Sequence, residues 1–219
     1  MRVEALRTTS MDAVVNRAWH WLAARFRRRR RAMLLRRFPA SSSARVIDVG
    51  GIAKDWEHES REVIILNLVR QDSGRHRFVA GDARQIDCAD DSFDLAYCNS
   101  VIEHVGTWND QMLLAAELRR IAPAIWVQTP NRWFPLEVHY LTLFLHWWPG
   151  LLRYRFIVRW FTGWGWLVRP TRAEVDRYAA TVHLLSAREM KQLFPDCTLL
   201  RERFLGLTKS IICIRERRG

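Results

Sequence analysis

The stretch DDSFDLAYCNSVIEHV, residues 90–105, places an acidic turn, an apolar run and a new element in direct succession. Phe93 to Cys98 reads as a strand covered on both faces, ended by Asn99-Ser100. The same grammar repeats upstream. Arg45-Val46-Ile47-Asp48-Val49 is a β-branched run ending in Gly50-Gly51, Val63 to Asn67 is a second strand, and Arg77 to Ala80 a third, stopped by Gly81-Asp82. Downstream, Gln111 to Arg120 carries a helical stripe of Leu113, Leu114 and Leu118, and Ala124 to Gln128 is a fifth strand halted by Thr129-Pro130. Apolar strands alternating with helices predict an α/β fold, a doubly wound and mostly parallel sheet covered on both faces. Ser186 to Phe194 reads as a closing helix, and Thr198 to Phe204 with Ser210 to Ile214 as a strand pair around Gly206.

At 219 residues and 49% hydrophobic, the chain suits one domain with a real core. No apolar run is long enough for a membrane span, and Arg17 and His20 interrupt the N-terminal apolar stretch, so a cytoplasmic chain is expected. The four cysteines show no metal-ligand spacing; Cys98 and Cys213 sit in strand-like runs where buried, inert thiols are usual, and no metal is expected. The net charge of +12 is unevenly spread. Residues 1–40 hold eleven Arg and two acids, residues 41–130 nine bases and fourteen acids, and residues 131–172 six bases and one acid. Residues 1–43 are therefore read as a basic amphipathic helix (11–38) and linker, and 44–219 as the main domain, with an insertion at 131–172. Residues 131–168 carry twelve aromatics, six of them Trp. Arginine beside indole suits an anionic membrane face, so a peripheral location on the inner face is the reading preferred; a substrate lid and a single-stranded nucleic acid are its rivals.

In a doubly wound sheet, ligands bind at the carboxyl ends of the strands, beside the point where strand order reverses. Here those ends carry Gly50-Gly51, Asn67, Gly81-Asp82-Ala83 and Asn99-Ser100. Glycines let a backbone approach a ligand, and the polar ends suit hydroxyls and an amino group.

VIDVGG (46–51), GDA (81–83) and the 90–105 block together resemble the class I, Rossmann-like S-adenosylmethionine-dependent methyltransferases, nearest the type 11 methyltransferase-domain group. The likeness covers roughly 44–130, and TPNRWFPLEVHY (129–140) is similar to an aromatic insertion of some bacterial members. The resemblance implies S-adenosyl-L-methionine as cofactor. It gives Asp48 the organising of the first loop, and Gly50 and Gly51 the approach to the methionine part. It puts Asn67 at the ribose, Asp82 with Ala83 at the adenine, and Asn99 near the sulfonium. Two departures stand out: Ile52 and Lys54 replace the later glycines of the loop, and Asn67 replaces an acid. A degenerate, non-catalytic member is the alternative they leave.

A base helps methyl transfer to a hydroxyl, and His104, just past the fourth strand, is the first candidate. His139 and Glu137, in the insertion, are candidates from the lid side; for all three a local packing or surface role is the rival. Relatives that hold magnesium through a Glu-His pair add an upstream Glu, where this chain has Ser100. An RNA acceptor is disfavoured because Asn-Pro-Pro-Tyr-like residues do not follow the fourth strand, which runs Asn99-Ser100-Val101-Ile102. The expected acceptor is a small molecule or a lipid- or sugar-linked one, methylated on oxygen.

Overall fold

A computed structural model describes residues 10–39 (side chains from 24), 44–57, 63–69, 74–137, 142–143, 147 and 182–216. In chain order, α1 (Ser10–Arg37) leads into β1 (Val46–Val49). A single helical turn (Ala53–Trp56), β2 (Val63–Asn67), β3 (Arg77–Ala80) and β4 (Leu95–Asn99) follow. A second such turn (Ile102–His104), α2 (Trp108–Ile121) and β5 (Ala124–Pro130) complete the parallel part. The paired two-residue strands β6 (Leu136–Glu137) and β7 (Thr142–Leu143) lie in the insertion, and α3 (Ala187–Leu193), β8 (Thr198–Phe204) and β9 (Leu207–Arg215) close the chain.

The strand order is β3-β2-β1-β4-β5-β9-β8. β1 pairs in parallel with β2 on one side and β4 on the other, so strand order reverses between β1 and β4. Pairing is parallel from β3 to β5 and antiparallel at β9 and β8. Alternate residues feed two apolar layers, as a pleat covered on both sides requires. Ile47, Val49, Cys98 and Val127 pack with Leu114, Leu118, Met190 and Phe194 of α2 and the α3 segment. Val46, Ile65, Leu95 and Trp126 face the other way, where Leu34 of α1 is fully buried among them.

The second half of α1 is thus a cover for the sheet as well as a carrier of arginines. Phe26 is buried edge-on against Phe204, and Lys209 Nζ lies 4.4 Å over its ring. Phe26 therefore adds nothing to an exposed apolar face of the helix. The simple strand–helix alternation fails between β3 and β4, where residues 81–94 contain no helix. Hydrogen bonding explains it, because Arg84 N donates back to Asp82 Oδ1, Gln85 N to Asp82 O, and Cys88 N to Ile86 O.

α2 opens on a capping box in which Thr107 and Asp110 exchange hydrogen bonds, and Ser186 and Glu189 repeat the device at α3. Cys98, Cys197 and Cys213 are buried and Cys88 half-buried, all four thiols free.

Candidate active site

A cavity of about 280 Å³ opens at the carboxyl ends of β1, β2, β3 and β4. Its lining includes Gly50, Asn67, Gly81-Asp82-Ala83, Ser100, Val101 and His104. A broader depression of about 910 Å³ lies at the opposite ends of the strands, around Arg45, Asp94 and Pro123. It is larger, but it is a shallow polar surface away from the strand reversal, and no glycine turn reaches it.

The Gly50-Gly51 turn is held tightly from both sides. Gly50 has φ +78°, and its N–H donates to Leu66 O at 2.7 Å. A Cβ at Gly50 would overlap Val101, and one at Gly51 would overlap the Asp48 carboxylate. Asp48 is 1% exposed and accepts a 2.6 Å hydrogen bond from Trp56 Nε1. Burial pushes its carboxyl up to about 7, despite the indole hydrogen bond. Trp56 thereby fastens the helical turn after the glycines to β1, a tie with no signal in the sequence.

Asn67 holds the same turn from β2, donating through Nδ2 to Gly50 O (3.3 Å) and Gly51 O (3.2 Å). An acid here would set a carboxylate against those carbonyls, so the amide fits this loop, which lacks the later glycines. Asp82 is gripped by Arg84: Nε lies 3.0 and 3.1 Å from the two carboxylate oxygens and Nη2 donates to Oδ2 at 2.6 Å. The Arg84 hydrogen bonds lower the Asp82 pKa and keep it ionised. Arg84 also donates to Asp110 Oδ1 at 2.6 Å, which ties Asp82 to the first turn of α2. Arg84 was not among the residues read from the sequence; its signal is an arginine two residues after the strand-end acid.

β4 is followed by Ser100 at φ +57°, a conformation that non-glycine residues rarely adopt. Ser100 N donates to Gln128 O at 2.9 Å and its Oγ to Gln128 Oε1 at 2.8 Å, fixing the kink. The kink separates neighbours: Ser100 lines the 280 Å³ cavity, while Asn99 lies in a second cavity beneath α1. Asn99 is thus not in the cleft with Gly50 and Asp82, where the sequence reading puts it.

His104 lines the cleft with its side chain 38% exposed. Glu103 beside it is fully buried, accepting from Thr129 Oγ1 at 2.9 Å through Oε2, with Oε1 4.0 Å from His104 Nε2. Glu137 falls in β6, with its side chain outside the described residues, and His139 lies wholly outside them. Among the described residues no His, Cys, Asp and Glu cluster could hold a metal.

A parallel sheet reversing between β1 and β4, an antiparallel β9 and β8 edge, and a cleft over a glycine turn define the class I methyltransferase fold. Residues 52–123 match the family model described as methyltransferase domain. Over those residues the chain carries the methyltransferase domain of the type 11 group, and the fold around them is that of the class I S-adenosylmethionine-dependent methyltransferases. Similar solved structures include the Burkholderia thailandensis 1,6-didemethyltoxoflavin-N1-methyltransferase with bound S-adenosylhomocysteine (TM-score 0.57, 14% identity, 99% of this chain and 94% of that one). A second is an S-adenosylmethionine-dependent methyltransferase from Mesorhizobium loti (TM-score 0.54, 14% identity, 84% and 95%). A third is the N-methyltransferase NodS from Bradyrhizobium japonicum (TM-score 0.52, 11% identity, 89% and 97%). No curated protein matches the sequence.

The residues present fit the cofactor. Gly50, whose Cβ position is already filled by Val101, brings bare backbone to the cleft, and an ionised Asp82 lines the same cavity.

Proposed function

We propose that the chain methylates a hydroxyl of a small or lipid-linked acceptor while resting peripherally on an anionic membrane face. The observation that carries the chemistry is His104, which lines the same cavity as the Gly50 turn and Asp82. S-adenosylmethionine supplies an electrophilic methyl group. The glycine turn and Asn67 shape the methionine and ribose end, Asp82 accepts from the adenine amino group, and Ala83 lies beside the ring. His104 takes up the proton that the acceptor hydroxyl gives up, with Glu137 and His139 as the further candidates. Most of the rate comes from positioning, since the displacement is in line.

His104→Ala is expected to lower turnover by roughly 10²–10⁴-fold while S-adenosylhomocysteine affinity stays nearly unchanged. Steady-state kinetics on a hydroxyl acceptor with calorimetry on each variant checks this. Intact turnover with lowered melting temperature would make His104 a packing residue.

A further inference from the structure

The second cavity lies beneath α1, across the β4 kink from the cofactor cleft, and measures about 230 Å³. Its wall carries Arg27, Arg28, Arg30, Arg31 and Lys54 against a single acid, Asp55. A carboxylate needs one such partner; five cations around one space suit a multiply charged anion, and guanidinium forks match phosphate oxygens two at a time.

Two buried polar atoms stand beside these cations, a donor that suits the anion and an acceptor that suits a hydroxyl. Arg30 is 7% exposed, and its Nε has no hydrogen-bond partner among the described residues. Its ion pair to Glu202 spans 3.8 Å, too long to count as a hydrogen bond. Asn99 Oδ1, at the end of β4, is likewise buried without a partner among the described residues. Native structures rarely leave buried donors and acceptors unused, and a ligand that satisfies them recovers the cost. Arg31 is held in place over the Trp56 ring, 4.4 Å from its centre, and donates to Asp55 O at 3.0 Å.

The volume falls below the roughly 300–1,000 Å³ that takes a whole drug-sized ligand, so it suits one charged end of a molecule. Its inner border is Asn99, and the next residue, Ser100, already faces the cofactor cleft. We infer that this cavity binds the phosphate or diphosphate of a phosphorylated acceptor, whose hydroxyl then lies at Asn99 beside the cleft. The inference deepens the acceptor reading above and rests on it for the direction in which the acceptor points.

The test is calorimetry of inorganic pyrophosphate against the full chain at fixed ionic strength, with S-adenosylhomocysteine titrated separately into each variant. The wild type should bind pyrophosphate saturably. Arg28→Gln and Lys54→Gln, both exposed at the rim, should each weaken it by about tenfold or more, and Arg75→Gln, on the β2–β3 connection, should not. Sedimentation with phosphatidylglycerol vesicles identifies the source of the phosphate. Loss of both kinds of binding in Arg28→Gln points to a lipid headgroup, and loss of pyrophosphate binding alone to a soluble phosphorylated acceptor. Absence of saturable pyrophosphate binding, or equal weakening by Arg75→Gln, overturns the inference. A failed hydroxyl-methylation test with pyrophosphate binding intact would leave the site standing and remove only its orientation.

Discussion

Burying Asp48 under the Gly50-Gly51 turn leaves its carboxyl protonated to far higher pH than in the unfolded chain. With a folded value of about 7 against an ordinary 3.8, its contribution to stability is complete below pH 4 and is lost as pH rises through 7. The loss is at most about 4 kcal/mol, from the shift alone. Asp48→Asn removes the titration, so its thermal midpoint should change less between pH 4 and 7 than the wild type's; scanning calorimetry at several pH values checks this. At Asp82 the sign is opposite, because the arginine favours the ionised form. Asp82→Ala should weaken S-adenosylhomocysteine by about 1–3 kcal/mol in a calorimetric titration. Asp82 was legible in the sequence as a strand-end residue, and Asp48 through the likeness of VIDVGG (46–51) to the family's first loop. What each one touches was not legible. Trp56 reaches Asp48 across eight residues and Arg84 reaches Asp82 across two, each around a turn and not along one helix or strand face.

Helix α2 couples the residue scale to the sheet. Its capping box uses Thr107 and Asp110, and the same Asp110 holds Arg84 and so the Asp82 carboxylate. Thr107 hydrogen bonds pull the Asp110 pKa down to about 2, with Arg84 adding to the effect. Thr107→Ala should cost about 1 kcal/mol of stability, read as a lower urea midpoint at unchanged slope. Strands and helices were well marked in the sequence, because apolar runs bounded by Gly, Pro and Ser are sharp signals. β9 begins three residues before the apolar run from Ser210, since pairing with β8 around the Leu205-Gly206 turn extends it. The helix-free 81–94 connection was not marked, because side-chain hydrogen bonds of Asp82, Glu117 and Arg120 hold it rather than any periodic face.

At the scale of the whole molecule, the basic excess reads differently once α1 is placed. Leu34 and Phe26 are spent on the sheet, Arg30 is buried, and Arg27, Arg28 and Arg29 remain outward. Trp133 and Trp147 are exposed, 62% and 42%, and tilt together with ring centres 6.3 Å apart. Binding to anionic vesicles should therefore fall steeply with salt, at about 1 kcal/mol per arginine near the surface. A smaller aromatic contribution should persist at 1 M, where the Debye length is about 3 Å. A sedimentation series against RNA competition at equal ionic strength checks it, and tight RNA binding without vesicle binding would reverse the reading. The composition showed where the charge lies but not which arginines point inward, a matter of helix phase against a sheet that pairs distant segments. The thiols carry a separate consequence. Cys98, Cys197 and Cys213 all belong to the layer under α2 and the α3 segment, and burial pushes the last two up to about 12. With Cys88 blocked, alkylation of these three is a clock that ticks only when that layer lifts off the sheet.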